Sequence, residues 1–173
     1  MTEEKRGRMH LYQGDGKGKT TAACGLAVRA AGAGMRVVMV QFLKGMASSE
    51  TAPMEQLGIR IFRGMPTEKF VFQMSDAEKM ETRAAQTELL RAALAETADL
   101  LILDEACAAW ELNMVDRELL KKAVTERPAG QEIVLTGRNP AEWMHEAADY
   151  ETEMRSVKHP YEHGDAARKG IEY

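Results

Sequence analysis

The stretch HLYQGDGKGKTTAACG, residues 10–25, sets glycines at 14, 16 and 18 between an apolar-polar alternation and a run of small helix formers. Residues 9–13 read as a short strand, and residues 19–31, rich in Ala and Leu, as a helix ending at Gly32 or Gly34. A strand that enters a helix through Gly18, Lys19, Thr20 and Thr21 is the setting in which a phosphate-binding loop is credible. The N–H groups of the turn and the positive end of the helix dipole converge on one anion, and Gly14, Gly16 and Gly18 leave room for its approach. The loop Gly14, Asp15, Gly16, Lys17, Gly18, Lys19, Thr20 and Thr21 is therefore expected to hold the phosphates of a nucleotide. Lys19 adds a point charge, and Thr20 a hydroxyl for Mg2+. The competing reading is a glycine hairpin with solvated lysines.

The rest of the chain repeats the strand-then-helix alternation. Residues 35–42 (MRVVMVQF) read as a buried strand and residues 59–62 as another, reached through a short helical stretch at 53–57. Ser75 and Glu78 have capping-box spacing and open a helix to about Thr97. Residues 100–103 form a brief apolar strand. Helical signals at 106–111 and 116–127, a strand at 132–135, a helix at 140–147 and a weak strand at 150–154 complete the pattern. Parallel strands need crossovers, and these helices supply them. The expectation is a three-layer α/β domain of the P-loop NTPase-like (RecA-like) type with a mainly parallel sheet, spanning residues 9–173 after a short N-terminal extension, 1–8. Asp104 and Glu105 follow the apolar LLIL, where a parallel sheet presents its carboxyl ends to ligand; with Thr20 they are the expected Mg2+ anchors. The irregular segments are 64–73 and the tail after 155.

Composition narrows the function classes. With 23 basic and 27 acidic residues, net charge −4, the chain of 173 residues gives no electrostatic reason to expect nucleic acid or an anionic membrane as a partner. No apolar run approaches the roughly 20 residues that span a bilayer, and a cytoplasmic location is expected. Cys24 and Cys107 form no CxxC pair and read as core. Trp110, Trp143 and the twelve methionines read as packing. His159 and His163 stand four apart, but Pro160 opposes a helix there and no third ligand is indicated.

The loop departs from the common G-x-x-x-x-G-K-[ST] spacing: position 13 is Gln, and the first glycine, Gly14, comes one residue late. Phosphoryl transfer would also need a group such as Glu105 or Arg138 to orient an acceptor or stabilise charge. From the residues alone, the reading stops at a magnesium-nucleotide enzyme of the P-loop class.

Taken together, GDGKGKTTAACGLAVRAAGAG, VVMVQFLKG, LLILDEA, IVLTGRNP and RSVKHPYEHGDAARKGIEY resemble the ATP:corrinoid adenosyltransferases of cobalamin biosynthesis and salvage, from about Met9 to Tyr173. The resemblance implies transfer of the 5′-deoxyadenosyl group of ATP to the Co(I) of a corrinoid, with release of triphosphate, and ATP held reversed along the shortened loop. It implies that Phe70 and Phe72 displace the lower axial ligand of the corrinoid; many relatives have Phe-x-Trp there, so Phe72 is a departure. Without the resemblance, these two phenylalanines read as one face of an edge strand. Lys19, Phe70, Phe72 and Arg138 are the expected catalytic residues, with Arg29 as a further nucleotide contact; Arg29 and Arg138 read equally well as surface ion-pair residues. A flavoprotein electron donor and a homodimer are implied as partners. Two rival functions remain: a P-loop ATPase or small-molecule kinase yielding ADP, and a nucleotide-dependent corrinoid carrier that consumes no ATP.

Overall fold

The central strands are apolar at almost every position because both faces of their sheet are covered in the computed structural model, which describes residues 6–173. In chain order the elements are β1 (Met9–Gln13), α1 (Lys19–Gly32), β2 (Val37–Gln41), α2 (Thr51–Gln56), β3 (Arg60–Arg63), α3 (Asp76–Leu94), β4 (Leu100–Asp104), α4 (Ala106–Glu111), α5 (Arg117–Thr125), β5 (Glu132–Gly137), α6 (Glu142–Ala147) and β6 (Tyr150–Glu153). Short 3₁₀ turns lie at Val71–Gln73 and Pro160–His163. The six strands form one sheet in the order β3-β2-β4-β5-β1-β6. Every pairing is parallel, so the sheet is wholly rather than mainly parallel.

The period-2 alternation of side chains divides the core into two layers. Val37, Met39, Leu100, Ile102 and Val134 pack with Ala23, Ala27 and Ala30 of α1 and Met54 of α2. Their neighbours Val38, Val40, Leu101, Leu103, Ile133 and Leu135 pack on the opposite face with Leu90 of α3, Ala109 of α4, Leu120 of α5 and Met144 of α6. Alanines on α1 let that helix lie close to the sheet, which fixes where its amino end points. The outer strand β6 is exposed throughout, and its YETE sequence places charge along an edge that would otherwise invite pairing.

Local signals explain the boundaries. Ser75 caps α3 as expected: its Oγ accepts from Glu78 N–H at 3.3 Å, and the Glu78 carboxylate accepts from Ser75 N–H at 2.8 Å. The helix ends at Leu94, short of Thr97, because the chain must turn before Asp99 N–H bonds the Arg36 carbonyl at 2.9 Å and β4 begins. Asp116 caps α5 by accepting from Leu119 N–H. Residues 1–5 of the expected N-terminal extension lie outside the described residues. Residues 7 and 8 are fastened to the start of β5, through Gly7 N–H to the Ala129 carbonyl and Arg8 N–H to the Glu132 carboxylate. Among the described residues, no helix is long and apolar enough to cross a membrane.

Candidate active site

Three strand ends converge at the amino end of α1, and each turns through unusual backbone geometry. After β2, Leu43 adopts φ 56°; after β4, Glu105 adopts φ 59°; at the end of β5, Gly137 adopts φ 147°. A side chain at Gly137 would collide with Cys107, its Cβ falling 2.6 Å from the Cys107 Cβ. Left-handed backbone at Leu43 and Glu105 costs on the order of 1–3 kcal/mol each and persists only where surrounding contacts hold it. For Leu43 the holder is the buried Gln86 of α3, which accepts from Leu43 N–H at 2.9 Å and donates to the Gly64 carbonyl at 2.7 Å. For Glu105 it is Thr136, whose Oγ1 accepts from Glu105 N–H at 3.0 Å.

The centre of the site is Asp104, fully buried at the tip of β4. Its Oδ1 accepts from the hydroxyls of Thr20 at 2.8 Å and Thr136 at 2.6 Å, and its Oδ2 accepts from Lys44 Nζ at 2.5 Å. Lys44 Nζ also lies 3.3 Å from Thr20 Oγ1. The neighbouring Glu105 carboxyl is pushed above the usual carboxylate range, first by burial and then by the Asp104 charge. Lys19 Nζ donates to the Gly16 carbonyl at 2.7 Å, and burial, followed by the Arg138 charge, lowers its pKa. These groups suit a hard cation held beside phosphates: the donors are oxygens, two of them carboxylates. Among the described residues no group of three or more His, Cys, Asp or Glu side chains is placed to hold a metal ion.

The loop glycines have a reason the sequence did not disclose. A Cβ on Gly14 would fall on the Met154 carbonyl oxygen, and one on Gly16 would lie 2.7 Å from Met154 O and from Arg155 C. The chain leaving β6 crosses directly over the loop, and Gly16 N–H donates to the Met154 carbonyl at 2.7 Å. Gly14 and Gly16 therefore admit the protein's own backbone; Gly18, at φ 120°, is the glycine that starts α1. Asp15 fastens the same crossing by accepting from Ser156 N–H at 3.1 Å, the main cause of its lowered pKa. Arg138 reaches the loop from the end of β5, its Nη2 lying 3.4 Å from the Asp15 carbonyl oxygen. Lys17 and Thr21 are exposed on the loop and the first turn of α1.

Arg29 is not brought to this centre. It sits ten residues beyond Lys19 on α1, about 15 Å along the helix axis, is exposed, and acts on the Tyr12 hydroxyl, whose pKa its charge lowers against a larger effect of burial. Phe70 and Phe72 do come to the site, though not as a strand face. Phe70 is extended and Val71–Gln73 is a 3₁₀ turn, which stacks the two rings with centroids 5.7 Å apart and planes 5° apart. They remain 68% and 83% exposed. Gln73 closes the turn by accepting from Phe70 N–H, and Lys69 fastens it to α3 through Glu78 at 2.6 Å. A cleft of about 830 Å³ runs from Thr20 past Lys44 and Glu50 to Phe70 and Phe72, with Tyr173 of the tail on its wall. A second cavity of about 600 Å³, lined by Arg36, Asp99 and Gln131, lies at the other end of the sheet. Ligands of open parallel sheets bind outside the carboxyl strand ends, so the larger cleft is the candidate site.

Lys44 and Thr136 are site residues that the sequence alone does not single out, although they lie in the segments VVMVQFLKG and IVLTGRNP. Nor does it single out Glu50, which accepts from Gln41 Nε2 at 3.1 Å and from the Ser48 hydroxyl beside the cleft. His159 Nδ1 accepts from Tyr161 N–H and opens the 3₁₀ turn Pro160–His163. Trp110 and Trp143 pack edge to face with centroids 5.0 Å apart.

The sheet, the glycine turn and the acidic strand end define an α/β protein of the P-loop NTPase-like class. Within that class, residues 5–173 match the family described as ATP:corrinoid adenosyltransferase BtuR/CobO/CobP. The chain belongs to this family. It is 35% identical over 176 residues to the corrinoid adenosyltransferase of Pseudomonas aeruginosa, covering 100% of this chain and 87% of the relative. It is 34% identical to that of Escherichia coli K12, covering 100% and 89%, and 35% identical over 182 residues to that of a Sinorhizobium species, covering 99% and 82%.

Proposed function

We propose that this enzyme transfers the 5′-deoxyadenosyl group of ATP to the Co(I) of a corrinoid and releases inorganic triphosphate. One observation carries the reading: Thr20 at the start of α1, whose hydroxyl donates to the buried Asp104 carboxylate at the end of β4 at 2.8 Å, lines a cleft that the stacked pair Phe70 and Phe72 also lines. A phosphate-binding loop and an exposed aromatic wall in one cleft suit two substrates, one anionic and one broad and apolar. Family membership supports the chemistry.

In this reading the electron pair of Co(I) forms a bond to carbon 5′ of the ribose while the carbon–oxygen bond to the phosphate chain breaks. The pair from that bond leaves with triphosphate, and the cobalt becomes Co(III). The loop N–H groups, Lys19 and Arg138 meet the charge that grows on the leaving chain. Thr20, Asp104 and Glu105 would hold Mg2+, which when bound supplies further neutralisation of that chain as a Lewis acid. Phe70 and Phe72 face the corrinoid and keep water from the cobalt. A reduced flavoprotein as electron donor, a homodimeric assembly and a cytoplasmic location belong to the same reading and rest on the family resemblance.

Anaerobic incubation with MgATP and chemically reduced cob(I)alamin, followed by chromatography of the phosphate products, tests it. Triphosphate in amounts equal to the corrinoid consumed is expected. ADP would return the protein to phosphoryl transfer, and intact ATP with bound corrinoid to a carrier.

A further inference from the structure

Lys44 stands on the oxygens that a metal ion would claim. Its ammonium is 2.5 Å from Asp104 Oδ2 and 3.3 Å from Thr20 Oγ1. Asp104 is fully buried, and a buried carboxylate without a counter-charge costs several kcal/mol. Among the described residues, Lys44 is the one cation paired with it. A divalent ion anchored by Thr20 and Asp104 would compete for the same lone pairs and would repel the ammonium. Lys44 has somewhere to go: its side chain is 25% exposed, lines the 830 Å³ cleft, and ends a flexible four-carbon stem. Its backbone is meanwhile held in place by the Gln86 clamp on Leu43.

We propose that Lys44 is an exchangeable cation, which neutralises Asp104 until a metal-nucleotide arrives and then swings into the cleft onto phosphate oxygens. The inference rests on the metal assignment made under Proposed function and adds a coupling to it. Metal alone must displace a tethered ammonium whose anionic neighbour in the cleft, Glu50, already accepts from Gln41 and Ser48, so it binds weakly. Metal together with a polyphosphate offers the displaced ammonium new anionic partners, so each ligand strengthens the other by the same factor. Lys44 thereby discourages the site from filling with a bare ion and favours the metal and the nucleotide entering as a pair.

The test is titration of the full chain with Mn2+, with and without ATP, followed by electron paramagnetic resonance of the free ion. Lys44→Met should bind Mn2+ alone at least tenfold more tightly than the unsubstituted protein, and ATP should improve its Mn2+ affinity by a smaller factor. Lys44→Met leaves Asp104 uncompensated, so Mn2+ should also raise its melting temperature more than that of the unsubstituted protein. Lys44→Arg, which keeps the charge and guards against loss of folding in the first variant, should bind Mn2+ alone no more tightly than the unsubstituted protein. Equal Mn2+ affinities for Lys44→Met and the unsubstituted chain, or tighter binding by Lys44→Arg, overturn the exchange while leaving the metal assignment standing. Absence of Mn2+ binding by the unsubstituted chain even with ATP overturns both.

Discussion

Thr136 offers a sharp test of how Asp104 is held. Its hydroxyl donates to Asp104 Oδ1 at 2.6 Å and accepts from Glu105 N–H at 3.0 Å, and the residue is fully buried. Thr136→Val keeps the shape and removes the hydroxyl. A hydrogen bond to a charged group contributes about 1.5–3 kcal/mol, and an unsatisfied buried N–H costs about 1–3 kcal/mol. The combined loss should be about 3 kcal/mol, allowing for partial relaxation. With a urea dependence of about 2 kcal/mol per molar, the unfolding midpoint should fall by about 1.5 M. Thr136→Ser keeps both hydrogen bonds and loses one methyl group, a cost of about 1 kcal/mol. Urea unfolding followed by circular dichroism measures both. Equal midpoints for the valine and serine variants would show that the hydroxyl does not support the carboxylate and would refute the reasoning.

Other consequences are open to direct measurement. Lys19→Ala should abolish saturable MgATP binding in calorimetry; unchanged affinity would mean the loop lysine does not meet the phosphates. Phe72→Ala should slow adenosylation starting from Co(II) far more than from chemically supplied Co(I), and equal losses would remove the aromatic pair from the reduction step. The Lys69 ammonium, with Ser75 N–H, holds the Glu78 carboxyl down to about 2. A depressed carboxyl contributes stability that is present above the unfolded value of about 4.3 and is lost as pH falls through the folded one. Glu78→Gln should thus be less stable than the unsubstituted protein at pH 7, with the gap in urea midpoints narrowing from about pH 5 toward pH 2; a constant gap would contradict this.

What the sequence disclosed and what it hid follow from the range of the interactions. The layered sheet was legible because β2, β4 and β5 carry their burial in consecutive residues, and because Ser75 and Glu78 announce α3 within four positions. The strand, the glycine turn and Lys19 are likewise contiguous. Lys44 and Thr136 were not legible as site residues: they lie 60 and 32 residues from Asp104, and only the parallel register of β2, β4 and β5 brings them to it. The crossing of Met154 over Gly14 and Gly16 was hidden for the same reason, since it needs β6 to pair with β1 from the far end of the chain. Arg29 is close in sequence to the loop, but the rise of α1 carries it about 15 Å along the helix axis from Lys19. Phe70 and Phe72 alternate like a strand, yet the turn closed by Gln73 stacks them instead.

Adenosyl transfer stands or falls on whether a carbon–cobalt bond forms at carbon 5′ of ATP. A single anaerobic turnover of cob(I)alamin with ATP carrying ¹³C at that carbon, read by carbon nuclear magnetic resonance, tests this most directly. The labelled carbon is expected to move to the shift of a cobalt-bound methylene as triphosphate appears in equal amount. A label that stays on a phosphate ester, in ATP or ADP, would contradict adenosyl transfer.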